Sequence, residues 1–125
     1  MKDKDTDIQD LRNRVEKFVA ERDWEKFHSP KNLSMSLAIE AAELMEQFQW
    51  LTIEESHEVI RDRKKREAIE EEIADVAIHI IDLCNVLDLD LGKAVLAKLR
   101  KNARKYPVKL AKGKAHKYTY YLKGK

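Results

Sequence analysis

The stretch EEIADVAIHIIDLCNVL, residues 71–87, decides the fold because it has helical periodicity and is apolar almost all round. At 100° per residue, one apolar stripe lies within about 60° of Ile73. Its other members are Ile69, Val76, Ala77, Ile80, Cys84 and Leu87. A narrow polar insert of Glu72, Asp75 and His79 lies on the opposite side. Such a helix is buried on most sides, so in a chain of 125 residues we expect a second chain to cover part of it.

Helical periodicity continues on both sides of this stretch. The sequence predicts four helices and a short extra one, over about residues 7–23, 32–49, 53–61, 63–87 and 91–105. Thr52 and Glu55 have capping-box spacing before the short helix, and Asp90 can cap the last helix. The chain has only 3 Gly and 2 Pro, too few for the turns of an all-β fold. We therefore expect an all-α protomer, a bundle of about four to five helices.

The charge is divided unequally along the chain, although the net charge is only +2. Residues 1–90 carry 13 basic and 23 acidic residues, whereas residues 91–125 carry 12 basic residues and no acidic one. We expect a domain over residues 1–106 and a basic, extended, partly disordered C-terminal arm over residues 107–125. The single cysteine, the absence of a secretory signal and the absence of a long apolar run predict a cytoplasmic protein that spans no membrane.

Two pairs of acidic residues stand in apolar surroundings, Glu40 with Glu43 and Glu72 with Asp75. The i,i+3 spacing places both members of a pair on one helix face. Other acidic pairs share this spacing but lack the apolar setting, and solvated pairs of that kind are common. Four carboxylates brought together would repel one another, and a hard divalent cation such as Mg²⁺ would relieve that repulsion. On the residues alone, a metal site and a solvated acidic face remain equal alternatives.

Five segments in order give the chain a family resemblance. They are RDWEKFHSPKNL (22–33), EAAELMEQFQW (40–50), EEIADVAIHI (71–80), AVLAKLRKNARKYP (94–107) and KYT (117–119). Together they resemble the MazG-like all-α NTP pyrophosphatase superfamily, in particular its dCTP pyrophosphatase branch. The resemblance implies a protomer that assembles into a dimer or tetramer. It also implies Mg²⁺-dependent hydrolysis of a nucleoside triphosphate, dCTP or a related or modified pyrimidine deoxynucleotide, to the monophosphate and pyrophosphate.

The resemblance also implies roles for individual residues. Glu40, Glu43, Glu72 and Asp75 would be the Mg²⁺ ligands. Separately from the resemblance, a carboxylate at such a site can take a proton from the attacking water, and the sequence does not choose between Glu40 and Glu43 for this role. The substrate would contact Trp24, His28, Trp50 and His79. Vertebrate-type members carry Tyr at the position of His79 and His at the position of Val15. These two departures leave the base preference open.

The basic end of the chain supports two different interpretations. Its polar and basic groups could hold phosphate oxygens of a nucleotide, with Asn102, Arg104 and Lys105 as candidates. Alternatively, a basic segment with four tyrosines could bind nucleic acid. The acidic body would repel a polyanion, so nucleic acid is disfavoured as a partner. A non-catalytic helical adaptor would account for the apolar faces of the long helix, but not for the acids within them.

Overall fold

The computed structural model describes residues 1–122, and within these residues the fold is all-α. Its helices are α1 (Ile8–Glu21), α2 (Pro30–Glu46), α3 (Ile53–Glu58), α4 (Arg63–Leu87), α5 (Leu91–Lys105), α6 (Val108–Ala111) and α7 (Tyr118–Leu122). Short 3₁₀ turns cover Asp3–Asp5, Glu25–Phe27 and Val59–Arg61. The five predicted helices are therefore confirmed as α1 to α5. No strand occurs in the described part of the chain.

Polar side chains fix where the helices begin. The backbone N–H of Asn32 donates to Ser29 Oγ at the start of α2. Thr52 and Glu55 form the predicted capping box at the start of α3, each accepting the other's backbone N–H. Asp90 caps α5, as its position predicts. Because each cap satisfies a backbone donor that the first helical turn leaves unpaired, these local residues set the helix boundaries.

The chain forms two compact units, Met1–Leu89 and Asp90–Lys125. In the first unit, α4 is the central element and contacts both α2 and α1. Its buried apolar side chains are few: Val19, Leu33, Ile69, Ile81 and Cys84. Among the helices of this unit, α2 and α4 share the most extensive contact, and this pairing brings the two predicted acidic pairs onto neighbouring helices.

Arg12 of α1 fixes that helix to the C-terminal end of α4. Its guanidinium donates to Asn85 Oδ1 at 2.9 Å and to the backbone oxygens of Leu89 at 2.6 Å and Cys84 at 3.3 Å. Asn85 Nδ2 returns a hydrogen bond to the backbone oxygen of Arg12 at 3.1 Å. The last carbonyls of a helix lack intrahelical partners, so Arg12 caps α4 from a different helix.

The second unit differs from the expected extended arm. Between residues 107 and 122 the chain forms α6 and α7, and the rings of Tyr106 and Tyr121 meet edge to face at 6.0 Å. Tyr121 is buried, and its ring also contacts Tyr120. Aromatic burial therefore favours compact turns over an extended strand that would have no partner. The last three residues of the expected arm, 123–125, lie outside the described residues, and the expected domain boundary after residue 106 stays a prediction.

The apolar surface of α4 is only partly covered within the first unit. Ile69 and Cys84 are buried, as the predicted stripe requires, but Ile73 at its centre is 51% exposed. Ile78 on another side of the helix is 44% exposed. Within residues 1–122, no helix combines the length and the apolar character that crossing a bilayer requires.

Candidate active site

Three carboxylates meet where α2 packs against α4. Glu40 and Glu43 of α2 and Glu72 of α4 each place a carboxylate oxygen within 4.8 Å of the others. We call these three residues the acidic cluster. All three side chains are half-buried. One oxygen of Glu40 (Oε2) and one of Glu72 (Oε2) are buried without a hydrogen-bond partner. A buried, unpaired carboxylate oxygen is costly, so these two oxygens need a partner that the described residues do not supply.

The surroundings favour the protonated forms of two of these carboxyls. Burial raises the pKa of Glu40, and the adjacent Glu43 and the charge of Asp75 raise it further, while His79 partly opposes them. Burial likewise raises the pKa of Glu72, followed by the negative charges of Glu43 and Asp75. Both effects arise because ionised carboxylates are crowded together away from water. A bound cation would reverse this balance by favouring the ionised forms.

Asp75 lies one turn after Glu72 on α4. Its carboxylate is not part of the acidic cluster, but its charge acts on both Glu40 and Glu72. The donor set around this point is therefore made of carboxylate oxygens, of which two have no partner. Hard divalent cations prefer such a set. The cluster fits a metal ion on its chemistry and on its unpaired oxygens.

A cavity of about 540 Å³ lies between α1, the turn that follows it, and α4. Most of its wall is apolar, contributed by Leu11, Val15, Phe18, Val19, Trp24 and Ile78. Its polar lining residues are Arg14, His28, Asp75, His79 and Asp82. Asp75 thus belongs to the wall of this cavity and also acts electrostatically on the acidic cluster. A concave apolar site with a few polar groups is the usual form of a small-molecule site.

Aromatic rings line one side of the cavity. Trp24 packs edge to face against Phe18 with ring centroids 5.7 Å apart, and lies 6.1 Å from His28. The guanidinium of Arg22 stacks over the Phe18 ring at 3.7 Å. Trp24 nevertheless keeps 40% of its surface exposed. A rigid, partly exposed indole at a cavity wall offers a flat surface on which a planar ligand can stack.

Both histidines of the cavity are held by hydrogen bonds from Nδ1. His28 Nδ1 lies 2.6 Å from Asp82 Oδ2, and His79 Nδ1 lies 2.7 Å from the backbone oxygen of Asp75. Sequence reasoning missed Asp82. The signal was present, because Asp82 follows His79 by three residues and Asp75 by seven, which continues the polar insert of α4 by another turn.

The structure brings together only part of the predicted site. Trp24, His28 and His79 line one cavity with Asp75, but Trp50 is 88% exposed and does not line it. The candidate phosphate-binding residues Asn102, Arg104 and Lys105 lie in α5, within the second unit. Their role stays a prediction.

Several known proteins are similar to this chain over most of its length. A model of the MazG-like family matches residues 35–120. Bovine dCTP pyrophosphatase 1 is 43% identical over 112 residues, which cover 90% of this chain and 66% of the bovine protein. The rat dCTP pyrophosphatase 1 is 41% identical over 117 residues, covering 94% of this chain and 69% of the rat protein. The chain thus spans about two thirds of the length of these curated relatives.

A solved structure gives the same result. The crystal structure of a pyrophosphatase from Archaeoglobus fulgidus superposes with a TM-score of 0.74 and is 44% identical. The match covers 80% of this chain and 92% of the archaeal chain.

Proposed function

The chain belongs to the MazG-like family, and from that premise we propose that it hydrolyses a nucleoside triphosphate to the monophosphate and pyrophosphate. The substrate would be dCTP or a related or modified pyrimidine deoxynucleotide, in line with the activity named for its mammalian relatives. One observation supports this most strongly: Asp75 belongs to the cavity wall and also acts on the carboxylates of the acidic cluster. A base in the cavity could therefore carry its phosphates towards the cluster.

The metal ion would be Mg²⁺, held by Glu40, Glu43 and Glu72 together with Asp75. When bound, Mg²⁺ neutralises phosphate charge and favours attack by water near neutral pH. The two unpaired oxygens of Glu40 and Glu72 support this assignment, because they already lie in place without a competing partner.

The reaction balances with water as the only other reactant. The water oxygen bonds to the α-phosphorus and gives up a proton, for which Glu40 or Glu43 would be the acceptor. The bond from that phosphorus to the oxygen bridging to the β-phosphorus breaks, and pyrophosphate leaves with that oxygen. The chain's own contribution is to bind and orient. Trp24 would stack on the base, and the apolar wall from Val15 and Phe18 would exclude water around it.

Assembly into a dimer or tetramer would complete the protomer. Ile73 of α4 and Ile39 of α2 are more than half exposed, and both lie on the helices that carry the acidic cluster. A second copy of the chain would cover such apolar surface. Asn102, Arg104 and Lys105 would hold phosphate oxygens, since guanidinium, ammonium and amide donors suit that task.

A panel of nucleotides tests the proposal. Purified protein with Mg²⁺ is incubated with each of the common deoxynucleoside triphosphates, and the products are separated by ion-exchange chromatography. We expect dCMP and pyrophosphate from dCTP, and no turnover when EDTA replaces Mg²⁺. Release of a diphosphate and inorganic phosphate, or no cleavage of any nucleotide, would contradict the proposal.

A further inference from the structure

Asp82 is a buried acidic residue that lies outside the acidic cluster. It is 6% exposed, and it lies two turns beyond Asp75 along α4. The hydrogen bond described for its side chain is the 2.6 Å contact with His28. Burying a carboxylate is costly unless it is paired, so a stabilising role alone would be served as well by an apolar residue. The position of the pair in the wall of the cavity suggests another role.

The pair fixes which nitrogen of His28 carries the proton. An ionised carboxylate can only accept a hydrogen bond, so Nδ1 of His28 donates to Asp82. In a neutral imidazole the second nitrogen, Nε2, is then an acceptor. His28 lines the cavity, and its side chain remains 24% exposed. Its free acceptor nitrogen is therefore available to a ligand.

A second histidine of the cavity has the same arrangement of donor and acceptor nitrogens. His79 Nδ1 meets a backbone carbonyl, which also can only accept, so in the neutral ring Nε2 of His79 is an acceptor too. Each histidine of the lining thus has one acceptor nitrogen, and the guanidinium of Arg14, which also lines the cavity, already donates to Asp10. An acceptor nitrogen pairs with a ligand N–H group and leaves a ligand carbonyl group at the same place without a partner.

We propose that Asp82 is a positioning residue, which acts through His28 to make the cavity select a base with an exocyclic amine over one with a carbonyl at the same place. The inference rests on the proposed function, because it assumes that the cavity receives the base. Its substrate class is an amino-pyrimidine nucleotide, distinguished from the corresponding keto-pyrimidine. A site built to hydrogen-bond a particular group rejects an analogue that lacks it, since the buried partner is left unpaired.

The first test measures the tautomer directly and needs no turnover. Long-range ¹H–¹⁵N correlation spectra of the wild-type protein at alkaline pH report which ring nitrogen of each histidine is protonated. The signal of His28 is identified by its absence in His28→Gln. We expect the Nδ1–H form in the wild type, and a mixture or the Nε2–H form in Asp82→Ala. A wild-type His28 protonated at Nε2 would overturn the inference.

The second test measures selectivity. The ratio of kcat/KM for dCTP to that for dUTP is compared between wild type, Asp82→Ala and Asn85→Ala. Asn85→Ala is the matched control, because Asn85 anchors α1 to the same helix through Arg12 but does not line the cavity. We expect the ratio to fall about tenfold in Asp82→Ala, the value of one hydrogen bond, mainly through KM.

The control should keep the wild-type ratio even where it lowers stability. A ratio in folded Asp82→Ala within twofold of wild type would overturn the inference, as would an equal loss in the control. If wild-type protein cleaves neither nucleotide, the proposed function fails, and the spectra still decide the role of Asp82 separately.

Discussion

Replacing His28 with Phe should destabilise the protein because Asp82, which stays in place, loses its hydrogen-bond donor. Phe keeps a ring of similar volume at the cavity wall but cannot donate to Asp82. The Asp82 side chain is 8% exposed, and its 2.6 Å contact with His28 would be lost. The variant therefore leaves a buried carboxylate without its partner, while the apolar packing of the ring is largely retained.

The expected cost follows from that burial. Leaving a buried polar group without its hydrogen-bond partner costs about 1–3 kcal/mol, and more when the group is charged. The carboxylate is charged, but the His28 side chain is 24% exposed and water can approach from that side, so we expect a cost of about 3 kcal/mol. For a chain of this size, that loss lowers the melting temperature by roughly 10 °C. Adding Asp82→Leu to His28→Phe should recover most of the loss, since replacing both partners of a buried hydrogen bond by apolar groups can be nearly neutral.

Thermal unfolding followed by circular dichroism measures all four members of this cycle. Protein concentration is held fixed and EDTA is present, because association or metal binding would change the apparent stability. We expect a coupling free energy of about 2 kcal/mol between the two positions. A melting temperature of His28→Phe within 1 °C of wild type, or two losses that simply add, would contradict this role of the His28–Asp82 hydrogen bond.

Three further predictions concern stability. Arg12→Ala should cost about 3 kcal/mol in urea unfolding, because it removes three hydrogen-bond donors at the end of α4. Arg14 lies on α1 like Arg12 but forms an exposed ion pair, so Arg14→Ala should cost under about 0.5 kcal/mol. Similar losses in the two variants would contradict the assigned role of Arg12. Thr52→Ala should lower the free energy of unfolding by about 1 kcal/mol at neutral pH. Because the capping box lowers the pKa of Glu55, this difference between wild type and variant should shrink as the pH falls through that lowered pKa. A difference that stays unchanged in acid would count against the capping box. The raised pKa values of Glu40 and Glu72 mean that the folded protein binds protons more tightly than the unfolded chain. Metal-free protein should therefore gain stability as the pH falls from neutral towards the ordinary value of 4.5, and saturating Mg²⁺ should weaken that gain. Identical pH profiles of unfolding with and without Mg²⁺ would exclude the cation from this cluster.

Local sequence signals predicted the helices well, for physical reasons. The starts of α3 and α5 depend on caps that lie within three residues of the helix, Thr52 with Glu55 and Asp90. Such signals need no knowledge of the tertiary structure. The acidic pairs were also readable, because acids at i,i+3 within an apolar helix conflict with the ordinary rule for core positions.

Tertiary pairings were not accessible in the same way. His28 and Asp82 are 54 residues apart, and Arg12 and Asn85 are 73 apart. No periodicity within a helix shows which residue of another helix will face it. Asp82 could have been flagged as a further polar residue of the insert, but its partner could not have been named. The exposure of Ile73 likewise depends on which neighbouring helices pack against α4. A helical wheel shows the faces of one helix and gives no information about its neighbours.

The most direct test of the account is pyrophosphate release from dCTP by matched variants at a saturating Mg²⁺ concentration. Glu40→Gln and Asp75→Asn each remove one negative charge from the proposed metal site, whereas Glu46→Gln removes one from an exposed position at the end of α2. We expect the first two variants to lose at least about 100-fold in kcat/KM, while Glu46→Gln keeps the wild-type value. Undiminished release by folded Glu40→Gln or Asp75→Asn, or an equal loss in Glu46→Gln, would contradict the assignment of this site.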